Sequence, residues 1–125
     1  MKTPVTQSDL TFEEMNRIIW QHLVARDWTN GHPRSFAISI ALEASELLEH
    51  YQWTDTPVGN KQDLADELAD ILIYAFEFAQ ATDIDIPKAM QDKLAKAAEK
   101  FKNKSKEAMQ EAWIQVKTTY KKEGL

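Results

Sequence analysis

Phe36-Ala-Ile-Ser-Ile-Ala-Leu42-Glu43-Ala-Ser-Glu46 sets an acidic pair into an apolar run, and Glu67-Leu-Ala-Asp70-Ile-Leu-Ile-Tyr74 repeats the device further along the chain. In each pair the acids are three residues apart, which on a helix puts them on one face, about one turn from each other. At about 100° per residue, Glu43 falls beside Phe36, Ile40 and Leu47, and Leu42 closes the far side of Glu46. Glu67 falls among Leu64, Ile71, Tyr74 and Phe78 in the same way. Both pairs therefore sit at the edge of the stripe that faces the core, not opposite it. Two helices that pack through these stripes bring four carboxylates towards one another.

Such a convergence is costly alone. Two unit charges 4 Å apart repel by roughly 4 kcal/mol at an effective dielectric of about 20. Protonation with raised pKa values relieves the repulsion, and so does a bound cation. Hard oxygen ligands of this kind suit Mg²⁺, with Mn²⁺ as a substitute. The alternative use of each pair is as solvated helix surface.

The rest of the chain limits the choices. Its 125 residues suffice for one domain with one core. Three Gly and four Pro leave little room for long flexible linkers. No run of about 20 apolar residues predicts a membrane span, and the first residues lack the apolar segment of a signal peptide. Without Cys there is no disulfide, thiolate metal site or Cys nucleophile, which fits a cytoplasmic location. The net charge of −5 argues against nucleic acid as partner, since that needs a basic footprint. An acidic protein still binds a nucleotide when a metal carries the phosphates.

The remaining elements follow from helical periodicity. Residues 1–10 read as a loose arm. Thr11 with Glu14 reads as a capping box, opening a helix through Met15, Ile18, Ile19 and Leu23 to about Ala25. Asn30-Gly31 and His32-Pro33 mark a loop. A second helix is expected from about Arg34 to Gln52, and Pro57 and Gly59 mark the next loop. A third, from about Lys61 to Ala81, is nearly apolar all round beyond Asp70 and reads as the central helix. Pro87 suits the first turn of a fourth, which runs to at least Phe101 with an apolar face of Met90, Leu94, Ala97, Ala98 and Phe101 beside a lysine stripe, Lys93, Lys96, Lys100 and Lys104. Residues 102–106 read as an interruption. Ala108, Met109, Ala112, Trp113 and Val116 then predict a last helix to about Tyr120. No strand alternation appears. The fold class is all-α: four to five helices in an antiparallel bundle, with a central helix so apolar that a second subunit is expected to cover it.

Taken in order, Arg26-Asp27-Trp28, His32-Pro33-Arg34, Glu43-x-x-Glu46, Tyr51-Gln52-Trp53, Glu67-Leu-Ala-Asp70-Ile-Leu-Ile-Tyr74 and Asp85-Ile-Pro87 resemble the MazG-like all-α nucleoside triphosphate pyrophosphohydrolases, in particular the dCTP pyrophosphatase branch. The likeness spans about residues 11–101 and leaves 102–125 as an extension. It implies a Mg²⁺-dependent cut of a (deoxy)nucleoside triphosphate to monophosphate and pyrophosphate, as in house-cleaning of pyrimidine or non-standard deoxynucleotides, by a homodimer or dimer of dimers. It implies Glu43, Glu46, Glu67 and Asp70 as metal ligands, with Glu43 or Glu46 as the base for the attacking water. Trp28 and Trp53 resemble base-stacking aromatics, although core or interface packing is the other use of such residues. Lys93, Lys100 and Arg34 resemble phosphate contacts, against a solvated basic surface. Three positions depart from the family pattern: Ala97 stands where it has an asparagine, Lys102 where it has a proline, and Ile19 where the dCTP-selective branch has a histidine. Ala97 can neither donate nor accept a hydrogen bond, and it motivates the competing expectation of a nucleotide- or metal-binding regulatory module with little or no turnover.

Overall fold

Thr11 starts the first helix, α1 (Phe12–Ala25), by accepting a hydrogen bond from the Glu14 N–H at 3.1 Å. The expected capping box forms only by half: the Glu14 carboxylate accepts from the Thr11 hydroxyl at 2.9 Å instead of reaching a backbone N–H. The computed structural model describes residues 8–102 and 106–123, and every regular element among them is helical. Residues 1–7 of the expected arm lie outside the described residues, as do Lys104 and most of the expected interruption.

At the end of α1, Asp27 takes a left-handed conformation, φ 56°, and the Trp28 N–H returns to the Leu23 carbonyl at 2.9 Å. This reversal satisfies a carbonyl that the helix end leaves free. Pro33 then opens α2 (Pro33–Glu49), where its missing N–H costs nothing. The helix stops three residues short of the expected Gln52. Its last turn tightens, with Tyr51 N–H on the Leu48 carbonyl at 2.9 Å, and the loop folds back so that the Val58 N–H bonds the His50 carbonyl at 2.8 Å.

The full capping box lies on α3 (Lys61–Thr82), where the Asn60 side chain accepts from the Asp63 N–H and the Asp63 carboxylate accepts from the Asn60 N–H, both at 2.9 Å. Asp83, again left-handed at φ 55°, closes this helix, and the Ile84 N–H reaches the Ala79 carbonyl at 3.0 Å. The fourth and fifth helices are α4 (Ile86–Lys100) and α5 (Lys106–Glu123).

The chain forms two compact units, one ending at Pro87 and the other starting at Lys88. In the first, α3 packs along α2 and also meets α1. The buried apolar residues among those described are Ile19 and Leu23 of α1 and Phe76 and Ala79 of α3. Phe12 stacks on Phe76 with centroids 4.5 Å apart, and the Gln80 amide donates to the Asn16 side chain at 2.8 Å, so α1 is held to α3 by both rings and a polar clasp. The opposite flank of α3 is bare: Leu68, Leu72 and Ile73 are exposed. In the second unit, Met90 and Leu94 of the expected apolar face are exposed as well. No helix among the described residues is long and apolar enough to cross a membrane.

Candidate active site

Three carboxylates meet where α2 and α3 pack. Glu43 and Glu46, one turn apart on α2, and Glu67 on α3 each offer an oxygen, and these oxygens all lie within 4.8 Å of one another. Glu43 and Glu67 are half-buried and Glu46 is exposed. One oxygen of Glu43 and one of Glu67, both Oε2, are fully buried and have no hydrogen-bond donor among the described residues. Burial, and then the Glu46 carboxyl beside it, push the Glu43 pKa above the ordinary carboxylate range, with Asp70 and Glu67 adding repulsion. Glu67 is pushed up by the same two causes and by Asp70, while His50 opposes the rise.

His50 caps α2 and faces this cluster. Its Nδ1 accepts the Gly59 N–H at 3.1 Å, so the neutral ring carries its proton on Nε2, which lies 3.8 Å from Glu67 Oε1. A Cβ on Gly59 would come within 2.5 Å of His50 Cε1 and 2.9 Å of Asp63 Oδ2, so only glycine lets the loop and the imidazole sit together. His50 lies four residues after Glu46, on the same helical face; that spacing was the signal in the sequence that could have marked it.

The donor set suits a hard divalent cation. Two buried oxygens without donors, and carboxyls that raise one another's pKa, are both relieved by one positive ion held through oxygen. Asp70, the fourth expected ligand, is exposed and stands outside the group of three, yet its charge reaches both Glu43 and Glu67.

A second feature lies at the other end of the α2–α3 pair. Phe36 of α2, Tyr74 and Glu77 of α3, and Trp28 line a cavity of about 460 Å³. Phe36 pairs with Tyr74 and Glu77, while Glu46 and His50 pair with Glu67, so the two helices run antiparallel. Glu67 and Glu77 are ten residues apart on α3, about 15 Å along its axis. The chain thus carries an acid end and an aromatic end on one pair of helices.

The other expected residues are dispersed. Trp28 is 61% exposed at the aromatic end, with the Arg26 guanidinium 6.0 Å from its ring centre. Trp53 is 85% exposed in the loop after α2, on the side of the acids, and is not among the residues that line the aromatic cavity. Arg34 is exposed in the first turn of α2. Lys93 and Lys100 are exposed on the part of α4 that belongs to the second unit. Ile19, at the departing position on α1, is a core residue, 5% exposed.

Comparison with known proteins gives these features a context. The model of the MazG-like family matches residues 38–116. The dCTP pyrophosphatase 1 of Mus musculus is 32% identical over 93 residues, 67% of this chain and 55% of that protein. The protein of the same name from Homo sapiens is also 32% identical over 93 residues, with the same coverage. The chain spans about half the length of these curated relatives. The crystal structure of a pyrophosphatase from Archaeoglobus fulgidus matches with a TM-score of 0.68 and 27% identity, over 80% of this chain and all of that one.

Proposed function

The chain belongs to the MazG-like family, and we propose that it is a Mg²⁺-dependent nucleoside triphosphate pyrophosphohydrolase acting on pyrimidine or non-standard deoxynucleotides. The observation that carries this reading is the meeting of Glu43, Glu46 and Glu67 with two buried oxygens left without donors. The names of the similar proteins point the same way.

In the proposed reaction the bridge between the α- and β-phosphates breaks, the oxygen of one water joins one fragment, and a carboxylate takes the proton released. Glu43, Glu46 and Glu67 would hold the ion, with Asp70 as the fourth expected ligand; Mn²⁺ would fit the same oxygens. When bound, such an ion neutralises phosphate charge and lowers the pKa of water. Glu46, the exposed member, is open to an arriving water, and Glu43 beside it is the other candidate base. His50 faces Glu67 from the loop side, its Nε2 3.8 Å from Oε1. Trp28 offers a face for the base; a stacking role for Trp53, which lies in the loop beside the acids, rests on the resemblance alone. Phosphate contact by Lys93 and Lys100 rests on the resemblance and on their exposed positive charge; Arg34, in the first turn of α2 beside Phe36, lies at the aromatic end and away from the acids, and its phosphate contact rests on the resemblance alone. The bare flank of α3 fits self-association into a homodimer or dimer of dimers.

The test is pyrophosphate release from a panel of nucleotides with and without Mg²⁺. Release that needs the ion is expected. Glu43→Gln is expected to lower it by more than the about 10–100-fold that loss of an outer-shell partner costs. Folded protein that releases no pyrophosphate from any nucleotide, or a Glu43→Gln variant with undiminished rate, overturns the reading.

A further inference from the structure

Glu77 is the most deeply buried charged residue described, 8% exposed, and nothing in the proposed reaction uses it. It has no hydrogen-bond or ion-pair partner among the described residues, and burial alone pushes its pKa up. Its carboxyl oxygens are not themselves sealed from solvent; they open to the adjoining cavity with their acceptor capacity unused. It lines the aromatic cavity with Trp28, Phe36 and Tyr74, and it also borders a smaller space of about 180 Å³ with Trp20 and Trp28. The Phe36 ring is seated against Gly31, where any Cβ would run into it, so that wall of the cavity is fixed by the loop backbone. Three aromatic rings around one acid make a site for a flat ring with a hydrogen-bond donor on its edge.

We propose, resting on the nucleotide reading above, that Glu77 selects the base of the substrate: its carboxyl accepts a hydrogen bond from the exocyclic amino group of a base seated against Trp28, Phe36 and Tyr74. The ionised carboxylate only accepts, whereas a protonated carboxyl would also donate to an oxo edge, so the discrimination belongs to the ionised form. Uracil and thymine present a carbonyl at the position where cytosine carries its amino group. Set against the carboxylate, that carbonyl leaves two acceptors facing each other. The residue therefore discriminates by attraction to the amino edge and by repulsion of the oxo edge. Position supports the assignment, because Glu77 lies about 15 Å along α3 from Glu67, far enough for a nucleotide to place its base at one end and its phosphates at the other.

Calorimetric binding of dCMP and dUMP, without metal, tests the assignment separately from turnover, and kcat/KM for dCTP and dUTP follows. The wild-type protein is expected to prefer the amino base by about 10-fold or more. In Glu77→Gln the amide can donate to the oxo base, so the preference is expected to shrink or reverse, with the change in KM rather than kcat. Glu77→Asp keeps the carboxyl on a shorter stem and is expected to bind more weakly with the same order of preference. A wild-type protein that binds both monophosphates equally or neither, or a Glu77→Gln variant with an unaltered ratio, overturns the role of Glu77. Unaltered ratios with intact pyrophosphate release would remove Glu77 alone, whereas base discrimination without any release would remove the reaction and leave Glu77.

Discussion

Single carboxyls in this chain are tuned by where the helices put them. Glu77 is raised by burial, so the folded state holds its proton more tightly than the unfolded chain, whose value lies near about 4.3. The folded state then binds more protons, and this group's contribution falls as pH rises from the unfolded value through the raised one. Glu43 and Glu67 act with the same sign. Without divalent metal the melting temperature is thus expected to fall as pH rises from about 4 towards 8. Glu77→Gln should flatten that slope and melt higher than wild type at neutral pH, with the gap closing in acid. Thermal unfolding across this range checks it; a variant that tracks wild type at every pH would show that burial leaves Glu77 unperturbed. The acids were legible from spacing, since an i, i+3 pair needs only a helix. That Glu43 and Glu46 gather Glu67 closely, with Asp70 just outside, was not. It depends on the stagger of α2 against α3, which the fold-back at His50 and Gly59 sets. Glu77 was passed over because a lone acid in an apolar run gives no pattern, although it continues the stripe of Glu67, Asp70 and Tyr74.

Among the elements, α3 depends most on how it begins. Asn60 and Asp63 satisfy each other's backbone N–H groups about two turns and one turn before Glu67, so the box sets where that acid starts its climb along α2. Asn60→Ala should cost about 1–2 kcal/mol, read as a lower urea midpoint with an unchanged slope. Unaltered stability would mean that the first turn of α3 is held by packing alone. Helix existence was readable from periodicity throughout. The end of α2 was not: Tyr51 and Trp53 prolong its apolar rhythm, but the return of the loop to the His50 carbonyl and ring claims the chain first. The two left-handed aspartates carry no glycine signal in the sequence at the ends of α1 and α3.

At the level of the molecule, one chain leaves much apolar surface in water. Leu68, Leu72 and Ile73 on α3, and Leu42 and Leu48 on α2, are exposed, and no described side chain is wholly enclosed. Burying such a flank against a second copy is the common remedy, because two-fold symmetry lets one patch cover itself. Light scattering after gel filtration is expected to give a mass of at least two chains, and Leu72→Glu should lower it. A monomer at every concentration, still folded, would show that these leucines serve another purpose. The all-α class and the role of α3 at the centre of the first unit were legible in its apolar content; what covers its free side lies in no single sequence.

The antiparallel run of α2 and α3 acts as a ruler. On the proposed reading a triphosphate is gripped at both ends, by rings around its base and by acids around its ion. Cleavage leaves one fragment with the base and another with most of the charge, and neither is long enough to keep both grips. Departure of the products is then built into the length of the helices, and a nucleoside monophosphate, kept by the base grip alone, should inhibit more weakly than an uncleavable triphosphate that keeps both.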